Sequence, residues 1–315
     1  MSAPNIDMAP PSAAATAASP PARAVRAGNW RTVRPLAELA GHLNREAFRV
    51  THELAGNPLF DVDVLVEVAR QAAKRPGDLY LDAGDVSVSD KWGNIPIPDR
   101  PVEEIIRRIE TAGAWIIIKH VEQSPGYDEV MREFDQFVRS VAGPRAAKLL
   151  SSPEMLVLVT SPNRVTPFHF DAEVNFLVQI QGEKDAWICD PNDRSATTHQ
   201  EIENYYSVSH NAGTFKPGLE KRAGHFHLKP GEGVHIPTHA GHWVNNGNAI
   251  SVSLSLNFEL PPGMYRDIYR LNHRLRRLGL APRPPGEAPL TDKLKAGAAA
   301  MTRTLNRLRG RREAP

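Results

Sequence analysis

Between Met155 and Leu260 the chain divides into eight short strand-like runs, and this spacing constrains the fold more than any other feature. The runs are Met155–Thr160, Thr166–Asp171, Asn175–Gln181, Asp185–Cys189, His225–Leu228, Gly233–Ile236, Trp243–Asn245 and Ile250–Phe258. Turn residues punctuate them, as in Gln181-Gly182-Glu183 and Lys229-Pro230-Gly231. Many short strands at such intervals predict a sandwich or jelly-roll barrel, in which two sheets cover each other's apolar faces. No internal repeat and no nucleic-acid module interrupts the pattern.

The flanks read differently. Phe48, Val50, His52 and Leu54 alternate with Arg49, Thr51 and Glu53, which predicts a half-buried strand. Asp61 or Asp63 can cap a helix running to about Lys74. Residues 85–100, with their Gly, Pro, Asp and Ser, read as a loop. Pro101 suits the first turn of a helix with Val102, Ile105, Ile106, Ile109 and Ala112 as its apolar stripe, ended by Gly113. Trp115–Ile118 reads as a buried strand. Tyr127–Val141 reads as a helix with Val130, Phe134, Phe137, Val138 and Val141 on one face. After Pro261-Pro262 two helical stripes follow, Met264, Ile268, Leu271, Leu275 and Leu278, then Leu294, Ala298, Met301, Leu305 and Leu308, broken by Arg283-Pro284-Pro285-Gly286. Two heptads each are too few for a long coiled coil and suit helices that pack together or meet a second subunit. The expected division is an Ala/Pro-rich disordered tail at 1–26, N-terminal α/β elements packing on the barrel at 27–152, the barrel at 153–260 and basic helices at 261–315.

Composition narrows the class. Hydrophobic residues make up 41% and charged residues 23% of the 315, which excludes an intrinsically disordered chain and fits a globular one. No stretch approaches the roughly 20 apolar residues of a membrane span. The start lacks the continuous apolar core of a signal peptide. The single cysteine, Cys189, excludes an intrachain disulfide and a Cys-rich metal site, and fits a reducing, cytoplasmic compartment. From Met264 onward, 13 Lys and Arg face 4 Asp and Glu, so this end is strongly basic within a chain of net charge +2. A solvated helical face is the expected reading of that excess.

His169-Phe170-Asp171 is the chemical signal. A His and an Asp two apart on a strand point to the same side. A second His from a distant strand completes a two-His-one-carboxylate face, which leaves coordination positions open, as a non-haem Fe(II) oxygenase requires. Among 12 histidines such a pair alone is weak. The third ligand has three candidates, His235, His239 and His242, and local geometry does not choose between them. His225 and His227 read as ordinary barrel residues, His199 and His210 as loop residues.

The segment 153–260 resembles a Jumonji-C domain, and is most similar to the hydroxylase branch typified by the asparaginyl hydroxylase acting on hypoxia-inducible factor. The family's T-P-x-H-x-D is matched by Thr166 to Asp171. Its Gly-acidic-x-aliphatic-x-Ile-Pro run, with a His five residues beyond the Pro, is matched by Gly231 to His242. The resemblance thus implies His169, Asp171 and His242 as catalytic metal ligands. It places the co-substrate threonine on Thr166, the co-substrate lysine on Lys184, and two further asparagines on Asn175 and Asn257. The family's co-substrate tyrosine has no match in Met155–Thr160. The implied fold is mainly β with flanking α, a double-stranded β-helix (jelly-roll, cupin) core. The implied cofactors are Fe(II) and 2-oxoglutarate. The implied activity is a 2-oxoglutarate-dependent dioxygenase that uses O₂ to hydroxylate a peptide, a protein side chain or a small metabolite. An N-demethylase of the same fold and a non-enzymatic cupin binding protein are the alternatives. A homodimer through the C-terminal helices is implied as well. Physically, the distal carboxylate of 2-oxoglutarate needs a cation and a hydroxyl, which Lys184 and Thr166 supply. Asn175 and Asn257 lie in apolar strands, where buried amides need partners.

Overall fold

The computed structural model describes residues 27–39, 41–91, 100–259 and 264–308. The Ala/Pro-rich tail at 1–26, residues 92–99 of the expected loop, and the side chains of Met264, Leu305 and Leu308 lie outside the described residues. Among the described residues twelve strands occur in order: β1 (Arg31–Thr32), β2 (Phe48–Thr51), β3 (Leu79–Ala83), β4 (Ala114–Ile118), β5 (Ser151–Thr160), β6 (Val165–His169), β7 (Val174–Gln181), β8 (Lys184–Ile188), β9 (Gly224–Leu228), β10 (Glu232–Ile236), β11 (His242–Asn246) and β12 (Ser251–Glu259). They form an eight-stranded sheet, β1-β2-β10-β7-β12-β5-β4-β3, and a four-stranded sheet, β6-β11-β8-β9. All pairings are antiparallel. The eight strands from β5 to β12 are shared four and four between the sheets, which is the double-stranded β-helix. The four strands before Ser151 extend the larger sheet at both edges.

The period-two pattern of β7 and β12 sets the layers. Val174, Phe176, Val178 and Ile180 of β7, with Val252, Leu254, Leu256 and Phe258 of β12, join the main core on the outer face of the larger sheet. Four helices contribute to that core: the short α1 (Leu36–Leu39) through Leu39, then α2 (Val62–Ala72), α3 (Val102–Arg107) and α4 (Tyr127–Ala147). Phe134 of α4 is the pivot, with ring centroids 5.1 Å from Phe176 and 5.7 Å from Phe258. The alternate residues, Asn175, Leu177 and Gln179 on β7 and Ser253, Ser255 and Asn257 on β12, are also buried. They face the smaller sheet, so the barrel interior carries a polar column beside an apolar cluster of Leu177, Ala186, Ile188, Val234, Ile236 and Val244. Hydrogen bonds run along the column, such as Ser253 Oγ to Gln179 Oε1 at 2.7 Å, and leave Asn175 Oδ1 without a partner. Serines there are small as well as polar, which leaves room for a cavity.

α4 runs past the expected end at Val141 and is broken at Gly143, which adopts φ +75° and is followed by Pro144. The loop reading of His199 is corrected. His199 opens α5 (His199–Ser207), fixed by a capping box in which Thr198 Oγ1 accepts from the Glu201 N–H and Glu201 Oε2 accepts from the Thr198 N–H. α6 (Met264–Arg277) crosses α5, and α7 (Pro289–Leu308) packs on α6. Ile268 and Tyr269 are buried in this contact, and Arg276 bonds the buried Glu203 carboxylate at 2.8 Å. Only part of the first predicted stripe is therefore covered; Leu278, Leu290, Leu294 and Met301 stay exposed. Among the described residues no helix is long and apolar enough to cross a membrane.

Candidate metal centre

Antiparallel pairing of β11 with β6 sets His242 directly opposite His169, and a bulge follows between His242 and Val244. Asp171 emerges two residues beyond His169, on the same side. One ligand atom from each of His169, Asp171 and His242 lies within 4.8 Å of the others. His242 Nε2 is 3.6 Å from Asp171 Oδ2, and the two imidazole centroids are 4.1 Å apart. Each imidazole is oriented through Nδ1 by the carbonyl two residues before it: Pro167 O at 2.8 Å for His169 and Ala240 O at 2.9 Å for His242. A carbonyl only accepts, so Nδ1 carries the proton and Nε2 keeps a lone pair for a metal. Burial, reinforced by the neighbouring His169, holds the His242 imidazole well below its ordinary pKa, in the neutral form that a ligand must have.

The rival histidines are engaged elsewhere. His235 is fully buried, with Nδ1 on Asn175 O at 3.0 Å and Nε2 accepting from the Asn44 N–H at 2.9 Å. His239 Nε2 and the Tyr206 hydroxyl hydrogen-bond at 2.8 Å. His225 and His227 share Asp185 on the outer surface of the smaller sheet.

The three residues open onto a cavity of about 720 Å³, whose lining also includes Thr166, Lys184, Asn175 and Asn257. All seven residues singled out in the sequence thus share one space. Lys184 begins β8 just after the tight turn at Gly182, where φ is +73° and a Cβ would lie 2.3 Å from Ile250 O. Only glycine fits there, and the turn fixes which residue enters β8 pointing inward. The Lys184 side chain is 3% exposed, and burial lowers its pKa to about 7. Among the described residues no carboxylate pairs with it. Asn175 Nδ2 donates to Asn257 Oδ1 at 2.7 Å and to Ser255 Oγ at 2.6 Å. Asn175 Oδ1 is buried without a partner, an acceptor waiting for a donor.

Several lining residues escaped the sequence reading. Tyr80 arrives from β3, its hydroxyl donating to Asp82 at 2.9 Å, and Asp82 is ion-paired with the buried Arg164. Trp115 stands beside it, edge-on, at 5.7 Å. Glu173 has its carboxyl pushed up to about 7 by burial and then by Asp171. Tyr205, Tyr206, Arg266 and Arg270 line the side formed by α5 and α6.

No family model matches the sequence, and no curated protein matches it. Solved structures do. The X-ray structure of YcfD from Escherichia coli superposes with a TM-score of 0.50 and 13% identity, covering 87% of this chain and 68% of that one. A structure described as YcfD, a ribosomal oxygenase from Escherichia coli, in complex with cobalt and 2-oxoglutarate, has a TM-score of 0.47 at 13% identity and the same coverage. Another, with cobalt and succinic acid, has a TM-score of 0.47 at 15% identity. At these identities the likeness is one of fold alone.

Proposed function

We propose that the chain is an Fe(II)- and 2-oxoglutarate-dependent oxygenase, a hydroxylase of a peptide, a protein side chain or a small metabolite. The observation that carries this reading is the convergence of His169, Asp171 and His242 within 4.8 Å at a cavity that also holds a buried lysine with no anionic partner among the described residues. The donor set fits the metal: two neutral imidazoles and one carboxylate suit a divalent first-row ion and leave coordination positions free. When bound, the iron supplies the activation of O₂ at the expense of 2-oxoglutarate, which leaves as succinate and CO₂. The protein's own residues hold and orient. Lys184 and Thr166 take the distal carboxylate of 2-oxoglutarate, one by a charge-assisted bond and one by a neutral bond. Asn175 and Asn257 offer amide groups near the metal end. The buried walls limit access of water. The likeness of Thr166–Asp171 and Gly231–His242 to the Jumonji-C hydroxylase branch supports the same reading. The buried, unpaired Cys189 fits the cytoplasmic setting proposed for it.

Full-length protein supplied with Fe(II), O₂ and 2-oxoglutarate should form succinate slowly even without a primary substrate. Binding of 2-oxoglutarate with no succinate formed would instead identify a binding protein.

We also propose that α6 and α7 pair with a second copy. Leu278, Leu290, Leu294 and Met301 are 77%, 79%, 75% and 65% exposed in the single chain, more apolar surface than two solvated helices require. Light scattering at tens of micromolar should give a dimer, and Leu278→Glu with Leu294→Glu should give a monomer. A full-length monomer would remove the proposal, and a dimer that survives both substitutions would place its interface elsewhere.

A further inference from the structure

The link between β10 and β11 is a tight turn, in which the Ala240 N–H donates to Pro237 O at 3.1 Å. His239 occupies its third position with φ +62°. A turn that requires positive φ at this position ordinarily takes Gly or Asn, and three of the five non-glycine residues with positive φ among the described residues are asparagines. A histidine there costs backbone strain, so the fold must hold it.

The turn grips both halves of the candidate centre. The His239 N–H donates to Asp171 O at 2.8 Å, and Ala240 O accepts from His242 Nδ1 at 2.9 Å. Outside the centre, the Thr238 N–H donates to Asn44 Oδ1 at 2.5 Å, and the His239 side chain ties the turn to α5. Its Nε2 hydrogen-bonds the Tyr206 hydroxyl at 2.8 Å, and its ring packs edge-on to Phe170, Tyr206 and Tyr269. Tyr206 lies on α5, and its carbonyl accepts from Arg270 Nε of α6 at 3.0 Å. One chain of contacts therefore runs from the two outer helices to the backbone of one candidate ligand and the imidazole of another.

We propose that His239 and Tyr206 are positioning residues for the metal centre: their bond holds the strained turn, and the turn fixes Asp171 and His242 relative to each other. This inference rests on the reading of His169, Asp171 and His242 as ligands. Neither positioning residue has been placed against the metal itself. Loss of an outer partner of this kind typically costs metal affinity about 10–100-fold.

The test is Co(II) titration of the full-length protein, followed by its visible absorption, alongside thermal melts of the metal-free forms. Tyr206→Phe removes one hydroxyl and keeps the ring. His239→Gly relieves the strained φ while removing the grip. Both should bind Co(II) about tenfold or more weakly than the parent, with an altered spectrum. His225→Ala, on the outer surface, should leave affinity unchanged. A role limited to fold stability would move the melting temperature and not the affinity of the folded protein. Parental affinity in both Tyr206→Phe and His239→Gly, while Asp171→Ala loses the metal, would overturn the positioning role alone. Failure of the parent to bind Co(II), or binding undiminished in Asp171→Ala, would overturn the ligand reading and this inference with it.

Discussion

Asp171→Ala is expected to abolish succinate formation and to weaken metal binding by more than the ~10–100-fold loss that follows removal of an outer partner. Asp171 supplies the one anionic donor of the three, so its removal leaves two neutral imidazoles and one less negative charge at the ion. The fold should survive, because the Asp171 carbonyl still accepts from the His239 N–H and its side chain is only half-buried. Metal-free stability is expected to hold or rise at pH 8. Glu173 has a folded pKa raised to about 7 by burial first and the Asp171 charge second. A carboxyl with a raised folded pKa loses stability as pH climbs from its unfolded value toward 7, since the folded state then binds more protons than the unfolded state. Removing the neighbouring charge reduces that penalty. Metal content and melting temperature measured together decide the point. Parental metal content in Asp171→Ala would remove it from the centre. The ordering of the histidines gives a second criterion: His242→Ala should cost more affinity than His239→Gly, and the reverse order would make His239 the ligand.

What could be read in advance depended on whether the signal was local. β7 and β12 announce themselves because period-two alternation and the glycine turn at Gly182 are written in adjacent residues. α5 does not, since nine residues with mixed polarity carry little periodicity; its one clear mark, Thr198 with Glu201 three residues on, is a capping box that went unread. The choice among His235, His239 and His242 needed information that no window contains. The register of β11 against β6 sets His242 beside His169, while Nε2 of His235 and Nε2 of His239 are hydrogen-bonded elsewhere. The resemblance to Jumonji-C domains implies His242, which is the histidine proposed above as the ligand. Tyr80 is a harder case. It belongs to a five-residue edge strand and reaches the cavity only because β3 lies beside β4 and β4 beside β5. Short strands of uncertain partner leave no local trace of which space they will line.

Replacing Lys184 is expected to separate co-substrate binding from stability by moving them in opposite directions. Lys184 is buried without an anionic partner among the described residues, and desolvation lowers its pKa from an ordinary lysine value to about 7. The sign follows from linkage. A lysine with a lowered folded pKa imposes its full penalty below about pH 7, where the folded protein must carry the buried charge. Stability then rises with pH between the folded and unfolded values, because the unfolded chain binds more protons. Lys184→Met keeps the volume and removes the charge, so the ligand-free variant should melt higher at pH 6, and this gain should shrink above pH 7. The distal carboxylate of 2-oxoglutarate would restore the charged form. Binding at pH 8 should therefore take up protons, which calorimetry in buffers of different ionisation enthalpy measures directly. Truncating one member of such a buried pair costs about 2–5 kcal/mol, roughly a thirtyfold to few-thousandfold rise in KM for 2-oxoglutarate. Thr166→Val removes only a neutral bond worth about 0.5–1.5 kcal/mol, roughly a two- to tenfold rise. Ordinary 2-oxoglutarate dependence in Lys184→Met, with no proton uptake in the parent, would take Lys184 out of the site and leave its burial as a cost without a ligand to offset it.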